Sequence, residues 1–394
     1  MPTFTPDREL HERWLGEITR IPTAAGREGR VVRWIEGWAD ERDDVELGRD
    51  DSGNLTLSLR GETDARPVWF TAHLDHPAFV VTRVVAPTVL ELQFRGGVMD
   101  DYFPDARIVV HTADNEPIGG VVTENTTPEG STHKTFLAEL DAPGDSIAPG
   151  DVATWELAEQ AVEDGVFYTN ACDDLAAVAA ALGALDTIRG QADPIPNVRV
   201  LFTRAEEIGF IGAIAACRHE TPPRDARLIC LENSRSFSDS PIGGGPIVRV
   251  GDRLSVFDPA LTAAVAKCAE TIAGAPASPT ASQKHADVKG SWRWQRKLMA
   301  GGACEATVFC AHGYQATCVC LPLGNYHNMA DLSAVQAGTN ESRPRVGREY
   351  IALADYHGLI DLLIACGTSL PEASPIIERL DKLWDERKGV LEEA

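Results

Sequence analysis

The chain is 394 residues long and 44% hydrophobic, with 59 acidic residues against 36 Lys and Arg, a formal net charge of −23. So acidic a balance excludes a protein whose work is to coat nucleic acid or anionic membrane, since both demand a basic surface; small molecules, peptides and metal cations remain as partners. The acids are interleaved with eight Trp, twelve Phe and six Tyr, which excludes a disordered polyanion. The length is long for one domain and short for three, at roughly 100–200 residues each.

Residues 1–10 hold neither a basic n-region nor an apolar h-region, so no secretory signal is expected. The longest small-apolar run, 175–185, reaches about half a membrane span. Nine cysteines, most in apolar surroundings (Cys217, Cys230, Cys268, Cys366), predict buried, reduced thiols. The expectation is a cytoplasmic protein with no membrane partner.

In chain order, apolar residues recur at helical spacing over 8–20 (Trp14, Leu15, Ile18) and 27–41 (Val31, Val32, Trp34, Ile35, Trp38). Asp51-Ser-Gly-Asn54 predicts a turn into the alternating strand Leu55 to Leu59, and 67–72 predicts a buried strand ending in His73-Leu-Asp75. From 79 to 165 the texture changes to short β-branched runs punctuated by Gly and Pro, which predicts an all-β module. Alternation then resumes: helix 173–185, strand 197–203, helix 211–218, strand 228–231, helix 259–273, strand 317–321, helix 350–366. The expected organisation is one discontinuous α/β domain, 1–78 and 166–394, interrupted by an inserted all-β domain, 79–165.

The candidate chemistry lies where polar residues fall relative to these strands. In an open α/β sheet, ligand-binding groups collect at the carboxyl ends of strands. His73 and Asp75 follow strand 67–72, Glu206 and Glu207 follow 197–203, Glu232 follows 228–231, His327 lies six residues after 317–321, and Asp173-Asp174 opens a helix. Taken singly, each has an ordinary reading: a surface His–Asp pair, a solvated helix start, an N-cap, an exposed loop acid. Taken together, six carboxylates and two imidazoles at one sheet edge would repel unless cations sit among them. Carboxylates mixed with imidazoles suit Zn²⁺, Mn²⁺ or Co²⁺, and a ligand set of this size points to a pair of ions.

The chain order His-x-Asp, β insert, Asp-Asp, Glu-Glu, acid, His resembles the dinuclear zinc aminopeptidases of the tetrahedral (glutamyl-type) family, and more distantly the zinc carboxypeptidases and desuccinylases. The segments that carry the resemblance are Thr71-Ala-His-Leu-Asp-His76, Asn170-Ala-Cys-Asp-Asp174, Thr203-Arg-Ala-Glu-Glu-Ile-Gly-Phe-Ile-Gly-Ala213 and Tyr326-His-Asn328, and it extends from about residue 10 to 366. It implies a mixed-sheet α/β/α zinc-exopeptidase-like catalytic domain with an inserted β-barrel. It implies further that His73 and Glu232 hold one metal, Glu207 and His327 the other, and that Asp173 bridges them. Two residues are implied to be catalytic: Glu206 as general base toward a metal-bridging water, and Asp75 as the carboxylate orienting His73. A cis Asp173–Asp174 peptide is also implied. The expected activity is removal of N-terminal residues from peptides by a homo-oligomer carrying two divalent ions, Zn with Co or Mn as alternatives. A deacylase or carboxypeptidase-like amidohydrolase acting on a small amide is the alternative that Glu232 favours, since aspartate is usual there in the aminopeptidases; a metal-binding scaffold is the other. Leu175, Glu305, Asn325 and Asn328 stand at positions where the family's substrate-pocket pattern is different. Gly243-Gly-Gly-Pro246 fits either a close approach to substrate or a plain turn.

Overall fold

A computed structural model describes residues 4–60, 65–112, 116–191, 197–277 and 292–392. Helices α1 (Arg8–Ile18) and α2 (Gly29–Asp40) lead into strands β1 (Val45–Arg49), β2 (Leu55–Leu59) and β3 (Val68–His73). A strand-only stretch follows: β4 (Ala78–Ala86), β5 (Val89–Arg95), β6 (Arg107–His111), β7 (Pro117–Asn125), β8 (Lys134–Leu140), β9 (Val152–Trp155), β10 (Ala161–Glu163) and β11 (Val166–Thr169). The chain continues through α3 (Leu175–Gln191), β12 (Val198–Thr203), α4 (Ile211–Arg218), β13 (Arg227–Arg235), β14 (Ile247–Gly251), α5 (Pro259–Ala273) and β15 (Gln295–Leu298). It closes with α6 (Glu305–Ala311), β16 (Gln315–Leu323), α7 (Leu332–Ala337), β17 (Glu349–Ala352), α8 (Leu353–Ser369) and α9 (Pro375–Arg387).

Eight strands form one mixed sheet in the order β1-β2-β12-β3-β13-β16-β14-β15. Its centre, β12, β3, β13 and β16, is parallel, flanked by antiparallel β2 on one side and antiparallel β14 on the other. All six residues of β3 are buried, as a strand covered on both faces requires. One face packs on α1, α2, α3, α5 and α8 through a core that includes Trp14, Ile35, Phe70, Leu182 and Leu359; the other packs on α4 and α6 through Trp69, Ala213, Leu228 and Phe309. The Ala/Leu run of α3 is buried almost all round, the pattern of a helix inside a layer rather than at its surface.

Strands β4-β5-β8-β7-β6-β9 close into a barrel, with β9 pairing back onto β4. Alternate residues of β5 point inward, and Phe79, Phe94, Phe103, Phe136 and Trp155 stack edge-on and face-on in its interior. The protein is thus a mixed-sheet α/β/α layer structure with a closed β-barrel, as the sequence led us to expect. A second small sheet, β10-β11-β17, was not anticipated. Residues 350–352, expected to begin a helix, instead belong to β17 and pair with β11, and α8 starts at Leu353. Strand 228–231 also runs longer than expected: β13 pairs with β16 as far as Arg235, so Glu232 lies inside a strand rather than after one. Among the described residues, no helix is long and apolar enough to cross a membrane, and all nine cysteines are free thiols.

Candidate metal centre

Because β12, β3, β13 and β16 run parallel, their carboxyl ends share one edge, and the polar residues following them meet there. His73 ends β3; Glu206 and Glu207 sit in the loop after β12; Glu232 projects from β13; His327 lies in a short turn after β16; Asp173 and Asp174 precede α3. His73, Asp75, Asp173, Asp174, Glu206, Glu232 and His327 are all buried. The Asp173–Asp174 peptide is cis.

Asp173 stands at the middle. Its Oδ1 is 3.3 Å from His73 Nε2 and its Oδ2 is 3.4 Å from His327 Nε2, so one carboxylate faces two imidazoles with separate oxygens. On the first side, Glu206 and Glu232 each lie 3.9 Å from His73 Nε2. On the second, Glu207 lies 3.4 Å from His327 Nε2. Ligand atoms of His73, Asp173, Asp174 and Glu232 fall within 4.8 Å of one another, as do those of His73, Glu206 and Glu207, and those of Asp173, Glu207 and His327.

The backbone holds these groups in place. Asp75 accepts hydrogen bonds from the N–H groups of Glu206 and Glu207 at 2.9 and 3.0 Å. The ring of His73 bonds through Nδ1 to the carbonyl of Asp75 at 3.1 Å, with that residue's carboxylate 3.7 Å away. His327 Nδ1 bonds the carbonyl of Gly97 at 2.6 Å, a contribution from the loop after β5 of the barrel. For both histidines Nδ1 is therefore occupied and Nε2 faces the acids, which is how a ligating imidazole is aimed.

The electrostatics are those of a cation site. Burial alone would push the His73 imidazole down, but Glu206, Asp173, Asp75 and Glu232 outweigh it and raise it well above its ordinary value. His327 rises in the same way, against burial, through Glu207 and Asp173. Burial and neighbouring acids drive Glu206, Glu232 and Asp174 up, whereas the two imidazoles hold Asp173 down against burial. Asp173 Oδ1, Glu207 Oε1 and His327 Nε2 are buried without a hydrogen-bond partner in the chain. Buried acceptors with no donor are costly, and all three belong to residues of one cluster. The residues present therefore fit divalent cations with oxygen and imidazole ligands.

Three residues that the sequence did not single out support this arrangement. Glu349, fully buried in β17, accepts from the N–H groups of Cys172, Asp173 and His327 at 2.7, 3.0 and 2.8 Å. His76 spans from the carbonyl of Asp173 at 2.5 Å to Asn328 Oδ1 at 3.0 Å. Asn233 donates to Asp174 Oδ1 at 2.8 Å. Each acts on backbone or on a partner remote in the chain, so no local spacing announces it.

The positions where the family's pocket pattern is altered serve the framework. Leu175 is buried in the main core. Asn325 donates to the carbonyl of Arg348, and Asn328 to those of Asn170 and Gly347. Glu305 is buried behind the centre, where Thr71 Oγ1 donates to it at 3.3 Å. Gly243 and Gly245 donate to Asp355 at 2.7 and 2.8 Å, and a Cβ at Gly245 would lie 1.9 Å from the carbonyl oxygen of Arg293. The close approach at that glycine is thus made by the chain's own backbone.

The layered sheet, the barrel and the buried carboxylate–imidazole centre define a protein of the metallo-aminopeptidase fold. Superposition agrees: the TM-score is 0.71 to the TET aminopeptidase of a marine-sediment Thaumarchaeota archaeon (17% identity over 92% of this chain and 98% of the other). It is 0.70 to an aminopeptidase from Desulfurococcus kamchatkensis (18%; 94% and 96%) and 0.69 to the Pyrococcus horikoshii TET1 peptidase, which can assemble into a tetrahedron or a large octahedral shell (21%; 91% and 100%). In sequence, the chain is 24% identical over 214 residues to YhfE of Bacillus subtilis, named as a candidate aminopeptidase; the match takes in 50% of this chain and 62% of that relative's length. Residues 53–340 match the model of the M42 glutamyl aminopeptidase family, and the chain belongs to that family.

Proposed function

We propose that this protein is a cytoplasmic, homo-oligomeric metallo-aminopeptidase that releases N-terminal residues from peptides. The observation that carries the reading is the carboxylate of Asp173 set between two imidazoles, one oxygen to each, with Glu206 alongside. In this reading His73 and Glu232 hold one divalent ion, Glu207 and His327 a second, and Asp173 both, with zinc as the metal and cobalt or manganese as substitutes. When bound, the ions supply Lewis acidity, lowering the pKa of the attacking water and polarising the scissile carbonyl.

The remaining work falls to side chains of the chain. Glu206 takes the proton of the attacking water and passes it to the nitrogen of the leaving amine. Asp75 fixes the backbone at Glu206 and Glu207, so that one glutamate ligates while its neighbour faces the water. Burial of the centre keeps bulk water from competing for the same groups. We assign residues 1–78 and 166–394 to the catalytic domain and 79–165 to the inserted one; the carbonyl of Gly97 then makes the insert a support of His327.

The test is a panel of aminoacyl p-nitroanilides and N-acyl amino acids, with Zn²⁺, Mn²⁺ or Co²⁺ returned to chelated protein. The expected result is metal-dependent cleavage of the aminoacyl amides. In Glu206→Gln we expect kcat to fall about 10³-fold while bound metal, measured by mass spectrometry, is retained. Cleavage confined to N-acylated substrates would replace the reading with the amidohydrolase that Glu232 favours. If neither class is cleaved, the scaffold reading gains.

A further inference from the structure

The loop between β12 and α4, residues 204–210, carries Glu206 and Glu207, and four successive N–H groups at its start are each taken by a side chain from elsewhere in the chain. Arg204 donates to Asn54 Oδ1 at 3.1 Å, Ala205 to Glu28 Oε1 at 3.0 Å, and Glu206 and Glu207 to the carboxylate of Asp75. Glu28, Asn54 and Asp75 are fully buried. Glu28 grips the loop twice, because its Oε2 also pairs with the guanidinium of Arg204, 2.9 Å from Nε and 2.8 Å from Nη2. It stands at the N-cap of α2, yet its side chain makes no capping hydrogen bond to that helix. The carboxylate accepts instead from the N–H of Gly26 at 2.7 Å and from the loop.

Buried backbone donors need acceptors, but a neutral acceptor would satisfy Ala205 as well as a buried acid does. The conformation of that residue gives the acid a purpose. Ala205, directly before Glu206, has a φ of +53°. A residue with a side chain is strained in this left-handed region, and the strain persists only where the surroundings hold it. Charge-assisted hydrogen bonds are the shorter and stronger ones, and Glu28 makes them both to the N–H of Ala205 and to the side chain of Arg204. We infer that Glu28 is a positioning residue for the metal centre: from the start of α2 it fixes Ala205 in the left-handed conformation, and so sets the directions in which Glu206 and Glu207 leave the loop. The guanidinium of Arg204 compensates the buried charge of Glu28, so the clamp adds no unpaired acid near the centre. The inference rests on the reading of Glu206 as general base and Glu207 as metal ligand.

The test is a Co²⁺ titration of the chelated full chain followed by visible absorption, alongside kcat and KM on an aminoacyl p-nitroanilide. The ion held by Glu207 is identified as the one weakened in Glu207→Gln. In Glu28→Ala we expect that ion to bind about 30-fold more weakly and the other to stay within about twofold. In the same variant kcat should fall about 30-fold with KM within about twofold, because misdirected groups lose the transition state more than the bound substrate. Glu28→Gln still offers Ala205 an amide oxygen but forms no ion pair with Arg204, and should lose only about fivefold in each. A lower Tm with both Co²⁺ affinities and kcat unchanged, or equal weakening of both ions, overturns the inference. Should circular dichroism show that the Ala variant is unfolded, Glu28→Gln decides: selective weakening of the Glu207 ion supports the inference, and unchanged affinity and kcat overturn it. Because ion affinity is read without turnover, a wild-type protein that cleaves no amide, with only the Glu207 ion weakened in Glu28→Ala, sinks the proposed activity and leaves the assignment of Glu28 standing.

Discussion

The carboxylate of Glu349 ties together two segments that lie far apart in the chain, accepting from Cys172 and Asp173 on one side and His327 on the other. Replacing it with alanine would leave three N–H groups unsatisfied in a fully buried place, at a cost of about 1–3 kcal/mol for each donor left unpaired. We expect Glu349→Ala to lower the urea midpoint markedly and to weaken Zn²⁺ binding about 10–100-fold in competition with a chromophoric chelator. A stability loss with unchanged metal affinity would mean that the two loops keep their places without this residue. The residues of the cluster itself were legible in the sequence, because the acids and imidazoles fall at or near the ends of recognisable strands or open a recognisable helix. Glu349 was not, since it falls just before the stretch 350–366 expected as a helix and its partners are backbone groups 22, 176 and 177 residues away.

At the scale of elements, α1 docks on α3 through a histidine. The ring of His11 is buried against Trp14 and Gly183, and neither ring nitrogen has a hydrogen-bond partner. Burial pushes its imidazole down to about 4. Between pH about 6.5 and about 4 the unfolded chain therefore holds a proton that the folded chain does not, and the folded state loses stability as pH falls through that window. In His11→Leu this contribution is absent. The difference in urea midpoint between variant and wild type should be constant above pH 7 and should move in favour of the variant on acidification from about pH 6.5 to 4; a difference that stays flat across this range would show that the ring titrates normally in the fold. The barrel gives a second lesson at this scale. Its strands could be read from their alternation, but the carbonyl of Gly97 meeting His327 at 2.6 Å could not, because only the way the barrel sits on the sheet brings them together.

For the whole molecule, acidity and metal binding are linked. Two divalent ions among the buried acids would bring the formal charge from −23 to about −19, and would relieve repulsion where it is least screened. Ligands that bind only the folded state stabilise it by about 2.7 kcal/mol at 100 times their Kd. Removing metal with 1,10-phenanthroline should therefore lower Tm by a few degrees as well as abolish cleavage, and Zn²⁺ should restore both. Restoration of Tm without activity would separate the structural part of the cluster from the catalytic one. What the sequence by itself determined was the alternation of elements, the β insert and the acids and histidines standing after strands, because periodicity and turn chemistry are local. The tertiary structure alone decided which oxygens of Asp173 face which imidazole and how Glu349 and Gly97 hold the loops. Those are distances between segments remote in the chain, set by how a parallel sheet lines up its carboxyl ends, and local pattern has no means of expressing them.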